Sequence, residues 1–138
     1  MEVYLLIIIL FISSFLDIKQ EIVYSPFNIC IVLLGFVKHI SGFYDCLDII
    51  LGYIFIPIIL LILNAYKKDS IGYGDIEFIS AMGIFLGYKK LVYAFFISAI
   101  FLFIYSRIVK KERYPFIPFL SIGFVIVLIF NQYNLLQL

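Results

Sequence analysis

Charged residues are scarce in this sequence, and tryptophan is absent. Charged residues make up 14% of the 138 residues and hydrophobic residues 65%, whereas soluble domains are about a quarter charged and about half apolar. The core of a water-soluble protein of this size cannot bury such an excess of apolar side chains. The composition therefore excludes an ordinary soluble domain and predicts an integral membrane protein.

Residues that bind metals are also few. Cys30 and Cys46 stand apart and form no CxxC pair, so neither a zinc ribbon nor a redox motif is predicted. His39 is the single histidine and has no further ligand nearby in the sequence, which favours an interfacial residue over a metal ligand. The net charge is +1 without a basic patch, so no nucleic-acid partner is predicted. We expect no metal and no other cofactor.

Six apolar segments separated by polar clusters account for most of the chain. They comprise residues 3–16, 22–37, 47–66, 76–88, 91–108 and 116–130. A straight membrane crossing needs about 20 residues, so the first segment suffices only if its helix continues through Asp17 towards Ile22. The segments predict an all-α bundle of about six transmembrane helices, forming a single membrane-embedded domain over residues 1–138.

The distribution of lysine and arginine predicts the orientation of these segments, because cytoplasmic connections are enriched in both. With both termini outside, the inner connections carry Lys19, Lys67, Lys68, Arg107, Lys110, Lys111 and Arg113. The outer connections then carry only Lys38, Lys89 and Lys90. This bias predicts that both termini lie outside a plasma membrane and that Asp17 and Asp75 lie on its cytoplasmic face.

Asp17 closes the first apolar segment, where an uninterrupted span would still be crossing lipid. Ionisable groups in such segments are costly and usually functional. Ser13 precedes Asp17 by four residues and lies on the same helix face, which predicts that this polar stripe points into the bundle. The alternative interpretation is an interfacial residue that pairs with Lys19 or another lysine.

Asp75 ends the tetrapeptide Gly72-Tyr73-Gly74-Asp75, directly before the fourth apolar segment. The simplest interpretation is a helix cap, since aspartate is favoured there. That interpretation leaves the two glycines unexplained. Glycine permits close approach of another backbone, as a peptide substrate beside a carboxylate would require.

Two aspartates on one membrane face can hydrolyse a peptide bond. One carboxylate deprotonates the attacking water while the other, protonated, polarises the carbonyl, and the two share a proton. The amino end of a helix favours a negative charge and the carboxyl end disfavours it. Because Asp75 begins one helix and Asp17 lies near the end of another, we predict that Asp75 is more often the ionised partner.

Three stretches together resemble the type IV prepilin leader peptidases, which are aspartic membrane peptidases with a GxGD motif. Residues 14–19 (SFLDIK) resemble the region of the first catalytic aspartate. The tetrapeptide at 72–75, followed by Gly83 and Gly87, resembles the second. Residues 114–123 (YPFIPFLSIG) resemble the proline-rich entry to the last helix of the family.

The resemblance implies an endopeptidase that removes the basic leader of prepilins, pseudopilins or archaellin precursors at the cytoplasmic membrane face. It implies Asp17 and Asp75 as the catalytic pair. The partners would be a precursor with a basic leader and an apolar helix, and membrane lipid; the oligomeric state stays open. Longer members carry a cytoplasmic domain with two CxxC pairs and also N-methylate the product. We expect no such methylation here.

The glycines expected to support the site are Gly72, Gly74, Gly83 and Gly87.

The sequence departs from the family pattern at three places. Val23-Tyr24-Ser25 stands where Ile-Pro-Asn is common, Glu77 stands where a lysine is common, and Ile117 stands where a glycine is common. These differences leave the cleavage-site preference open. Candidate substrate contacts are Glu21, Glu77, Pro115 and Pro118.

The acidic residues near the inner rim, Glu21, Asp69 and Glu77, are most simply ordinary loop charges, and they could also attract a basic leader. Three other functions use the same acids. One is a protease of transmembrane stubs like the presenilins, although the Pro-Ala-Leu signature is absent. The others are a small proton- or cation-coupled transporter and a non-catalytic assembly subunit.

Overall fold

The computed structural model describes residues 2–20, 25–40, 46–67, 71–109 and 114–132. Within these ranges the chain forms six α-helices, one over each predicted apolar segment, so the all-helical prediction is confirmed. They are α1 (Glu2–Gln20), α2 (Ser25–Ile40), α3 (Cys46–Tyr66), α4 (Tyr73–Leu86), α5 (Tyr88–Ile108) and α6 (Ile117–Gln132). Helix α1 continues through Asp17, as a full-length first segment requires, and α4 begins at Tyr73 rather than at Ile76.

Helix α4 is the central element of the bundle. It packs against α2, α3 and α5, while α1 packs on α6 and α2. The side chains of Phe78, Met82 and Phe85 are fully buried. At 14 residues α4 is also the shortest helix, about 21 Å long at the standard rise of 1.5 Å per residue. Helix α4 is therefore surrounded by other helices along most of its length.

Glycines allow the backbones of neighbouring helices to approach closely. A Cβ atom added to Gly83 of α4 would overlap the carbonyl oxygen of Gly52 on α3. A Cβ added to Gly123 of α6 would overlap the hydroxyl of Ser98 on α5. Small residues at helix interfaces permit this kind of packing where apolar burial alone gives little preference.

The outward faces of the helices are apolar. Phe11 is 75% exposed, and Ile62 and Phe96 are each 63% exposed. Helices α3 and α5 are long and apolar enough to cross a membrane, and α2 and α6 are apolar but shorter. Exposed apolar surface of this extent indicates contact with lipid or with other proteins.

Candidate active site

Asp17 lies in the last turn of α1 and points into the bundle, with 5% of its surface exposed. Its Oδ2 atom accepts a hydrogen bond of 3.1 Å from the backbone N–H of Ile117. Ile117 is the first residue of α6, and the first N–H groups of a helix have no partner within the helix. Asp17 therefore lies both at the carboxyl end of α1 and at the amino end of α6.

Asp75 lies in the first turn of α4 and is half-buried. The residue at the cap position of α4 is Gly72, and no side chain caps this end. The Asp75 carboxylate instead reaches back to the backbone N–H of Gly72. A Cβ atom added to Gly72 would lie 3.2 Å from Oδ2 of Asp75. Asp75 is thus not the cap residue itself, and Gly72 leaves room for its carboxylate.

The structure brings the two aspartates together at one end of the bundle. The negative charge of Asp17 acts on the Asp75 carboxyl, so the groups are within electrostatic reach of each other. Two carboxylates that interact strongly give up their protons as a pair rather than one by one. Such a pair can hold one carboxyl group protonated while the other is ionised, which is the state that acid–base chemistry on a bound water requires.

The prediction that Asp75 is more often ionised assumed that Asp17 meets only the carboxyl end of a helix. The structure contradicts this assumption, because Asp17 also accepts the first N–H of α6. Each carboxylate lies at a helix amino end, and each is bonded to a backbone N–H. Helix position therefore does not distinguish the two groups.

Polar side chains on α1 and α6 lie about one helical turn from Asp17 or from Ile117. Ser13 is 6% exposed and lies on the same face of α1, so the polar stripe points inward as expected. The hydroxyls of Ser14 and Ser121 are 2.8 Å apart and join α1 to α6. The Ser13 hydroxyl is buried without a hydrogen-bond partner.

Asn64 positions the segment that precedes Asp75. It is buried in the last turns of α3, and its Oδ1 accepts a hydrogen bond of 3.2 Å from the backbone N–H of Ile71. Ile71 directly precedes Gly72, so α3 holds the entry to α4. Sequence reasoning missed this residue, although an asparagine within an apolar segment is a usable signal. It also missed the Ile117 N–H, for which the sequence carries no signal.

The predicted glycines fall into two groups. Gly72 and Gly74 lie beside Asp75 at the amino end of α4. Gly83 lies two turns further along the helix at the contact with α3, and Gly87 ends α4 with a φ of +80°. The structure therefore separates Gly83 and Gly87 from the aspartates and gives them roles in packing and chain reversal.

The predicted substrate contacts are scattered. Glu77 is exposed, and its Oε2 accepts a hydrogen bond of 3.4 Å from the hydroxyl of Ser25. Pro115 is half-buried just before α6, and Pro118 occupies the first turn of α6, where its missing N–H costs little. Both prolines flank Ile117 and so lie near Asp17. Glu21 and Asp69 lie outside the described residues.

No group of three histidine, cysteine, aspartate or glutamate side chains suited to a metal ion occurs among the described residues.

Two aspartates lie at one end of this apolar helical bundle, and the comparisons with known proteins show the family to which such a chain belongs. Residues 4–107 match the model of the Type IV leader peptidase family, and the chain belongs to that family. The predicted membership of the type IV prepilin leader peptidase family is therefore confirmed. The matched residues include Asp17 and Asp75 but not α6.

A curated relative agrees with the family match. The chain is 28% identical over 144 aligned residues to a prepilin leader peptidase/N-methyltransferase of Pectobacterium carotovorum subsp. carotovorum. The alignment includes 95% of this chain and 52% of the relative, so the chain spans about half the length of that protein. No solved structure matches the chain.

Proposed function

We propose that this protein is an aspartic endopeptidase that cleaves the leader of prepilin-like precursors, with Asp17 and Asp75 as its catalytic pair. The observation that carries the proposal is the placement of these two carboxylates at one end of the bundle, within electrostatic reach of each other, in a member of the Type IV leader peptidase family. The proposal concerns peptide-bond hydrolysis alone.

We further propose that the bundle spans the plasma membrane several times, with the aspartates at its cytoplasmic face and both termini outside. Exposed apolar side chains on the outward helix faces support contact with lipid. Lys19 and Arg107 lie in the last turns of α1 and α5, and Lys67 directly follows α3, at the end of the bundle that holds the aspartates. A cluster of cations at that end is typical of a cytoplasmic surface.

In the proposed reaction the pair begins with one proton between its two carboxyl groups. The ionised carboxylate takes a proton from water as the oxygen attacks the carbonyl carbon of the scissile bond. The protonated partner donates a hydrogen bond to the carbonyl oxygen and stabilises the charge that develops there. The proton taken from water then passes to the leaving amine, and the pair returns to its starting state.

The backbone donors of Ile117 and Gly72 hold the two carboxyl groups in place during these steps. Neither carboxylate needs to reorient to find a partner, because each is already bonded to a helix amino end. Fixed donors of this kind are effective because no free energy is needed to reorient them during the reaction.

Co-expression of the full chain with a prepilin-like precursor tests the proposal. We expect the leader to be removed by the natural chain and retained with Asp17→Asn and with Asp75→Asn, as measured by precursor mobility and mass. Each variant must be recovered from the membrane fraction at the natural level. Cleavage that survives either substitution would contradict the pair as catalyst.

A further inference from the structure

A cavity of about 580 Å³ lies between α2, α3 and α4. Most of its wall is apolar and comes from α2 and α3. Its α4 wall consists of Tyr73, Ile76, Glu77, Ser80 and Ala81. These positions repeat every three or four residues and so form one helix face, about 12 Å long at 1.5 Å per residue. Asp75 does not line the cavity, because it lies on the opposite face of α4.

One buried polar side chain that lines the cavity has no hydrogen-bond partner. Asn28 of α2 is 2% exposed, and neither Oδ1 nor Nδ2 of its amide makes a hydrogen bond. Buried polar groups are nearly always paired, and an unpaired one destabilises the fold. An amide in an apolar cavity therefore indicates a ligand that supplies the missing partner.

The hydrogen-bonding groups of the Asn28 side chain distinguish among possible occupants of the cavity. Asparagine offers two donors and an acceptor, so its full partner must present both a donor and an acceptor. A peptide group presents both, as N–H and C=O. The ester groups of a glycerolipid present acceptors only and would leave Oδ1 unpaired. A peptide segment with apolar side chains thus fits the cavity better than a lipid chain does.

The rim of the cavity adds a charge. Glu77 is exposed at the edge, where Ser25 donates a hydrogen bond to its carboxylate. A cationic residue of the occupant could pair with this carboxylate while the apolar part enters the cavity. The wall and rim together match a chain in which a cationic stretch adjoins an apolar one.

The amino end of α4 connects the cavity to the aspartates. Tyr73 lines the cavity and Asp75 faces the other way, so a peptide that reaches both must cross this helix end. Gly72 and Gly74 lie at the crossing and carry no side chains to block it. This path gives the alternating glycines a purpose beyond making room for the Asp75 carboxylate.

We propose that the cavity binds the part of the substrate next to the scissile bond, with the Asn28 amide bonded to a peptide group of that segment. The proposal rests on the proposed function and adds to it a specificity-determining residue away from the catalytic pair. The substrate class is a precursor peptide whose cationic residues approach Glu77 and whose apolar segment fills the cavity.

Replacement of the amide by an apolar group of similar size tests this role. The purified full chain with Asn28→Leu is assayed on a synthetic peptide that joins a lysine-rich leader, a glycine and an apolar segment. We expect KM to rise about tenfold, as for loss of one pair of hydrogen bonds, with kcat nearly unchanged. Thermal stability should stay equal or rise, because an unpaired buried amide is removed. A KM for Asn28→Leu equal to that of the unaltered chain would overturn the proposal.

Ser98→Ala is the matched control, since Ser98 is fully buried on α5 and lines no part of the cavity. It should leave KM unchanged. If the natural chain itself fails to cleave the peptide, the proposed function fails and this inference with it. If the natural chain cleaves and Asn28→Leu does so with the same KM, this inference alone fails.

Photo-crosslinking identifies the occupant directly. Benzoylphenylalanine is placed at Leu33, which lines the cavity, in an Asp75→Asn background that retains the substrate. The control position is Phe96, which lies on the outer face of α5. We expect an adduct with the peptide from Leu33 and not from Phe96. Adducts from Leu33 with lipid alone, or with a second copy of the chain alone, would overturn the proposal.

Discussion

The two ends of α4 are built differently. At the carboxyl end, Lys38 Nζ donates a hydrogen bond of 2.8 Å to the carbonyl of Phe85, and His39 Nε2 lies 2.6 Å from the carbonyl oxygen of Ile84. At the amino end no side chain caps the helix, and Asp75 lies within electrostatic reach of Asp17.

The carboxyl end follows the rules for a stable helix end. The Lys38 ammonium bonds to one of its last carbonyls, where the helix dipole is negative, and the His39 ring lies at hydrogen-bond distance from another. The Lys38 ammonium also lies 4.3 Å from the centre of the Phe85 ring. His39, interpreted from the sequence as interfacial, takes part in this cap. The amino end instead brings two carboxyl groups together, and their repulsion when both are ionised opposes folding. The carboxyl end of α4 is thus built for stability, whereas its amino end carries the proposed catalytic pair.

The two ends should differ most when one acid at each end is replaced in a separate variant. Asp75→Asn should lower the cleavage rate about 10²–10⁴-fold, the range for loss of an acid–base group. Asp48 contacts Gly87 at the other end of α4, so Asp48→Asn should leave the rate nearly natural. Rates are measured on a precursor peptide with purified protein. Equal losses in the two variants would remove the contrast between the ends.

Ile117→Pro should produce the next largest effect. Proline is tolerated at the first position of a helix, but it removes the N–H that Asp17 accepts. Loss of a hydrogen bond to a charged group costs about 1.5–3 kcal/mol, so we expect kcat/KM to fall about 10- to 100-fold. Ile117→Val retains the N–H and is the control. A full rate in the proline variant would show that this donor is dispensable.

Gly83→Ala should affect stability more than chemistry. The added Cβ would overlap the Gly52 carbonyl and push α3 from α4, at a cost of about 1–3 kcal/mol, as for overpacked cores. Thermal unfolding of the purified protein measures this loss. Ser80→Ala, on the same helix, removes a hydroxyl bonded within its own helix and should change the midpoint less. An unchanged midpoint for Gly83→Ala would contradict the close contact.

Lys38→Met should have the smallest effect, confined to the carboxyl end. It removes the hydrogen bond to Phe85, which is worth about 0.5–1.5 kcal/mol, and should lower the unfolding midpoint without changing the cleavage rate. Lys89→Met removes an exposed lysine near the same end and should change neither quantity. A loss of cleavage in Lys38→Met at natural stability would show that the two ends are coupled.

Much of the fold was predictable because apolar segments of this length form helices wherever they meet lipid or one another. The helix bounds differ from the predicted segments by only a few residues. Asp17 and Asp75 were identifiable as a pair because acids are rare beside such segments. The glycines were identifiable as a set, but not by role: the contact of Gly83 with Gly52 depends on which helices become neighbours.

The sequence by itself determined that the chain is helical and apolar, that two acids fall on one side of it, and that it resembles the leader peptidases. These properties follow from composition and from the order of residues along the chain. Only the tertiary structure decided that the first N–H of α6 donates to Asp17 and that Lys38 and His39 lie against the last carbonyls of α4. It also decided that the Asn28 amide lines a cavity without a hydrogen-bond partner. Such contacts join residues far apart in sequence, and their formation depends on how the helices pack.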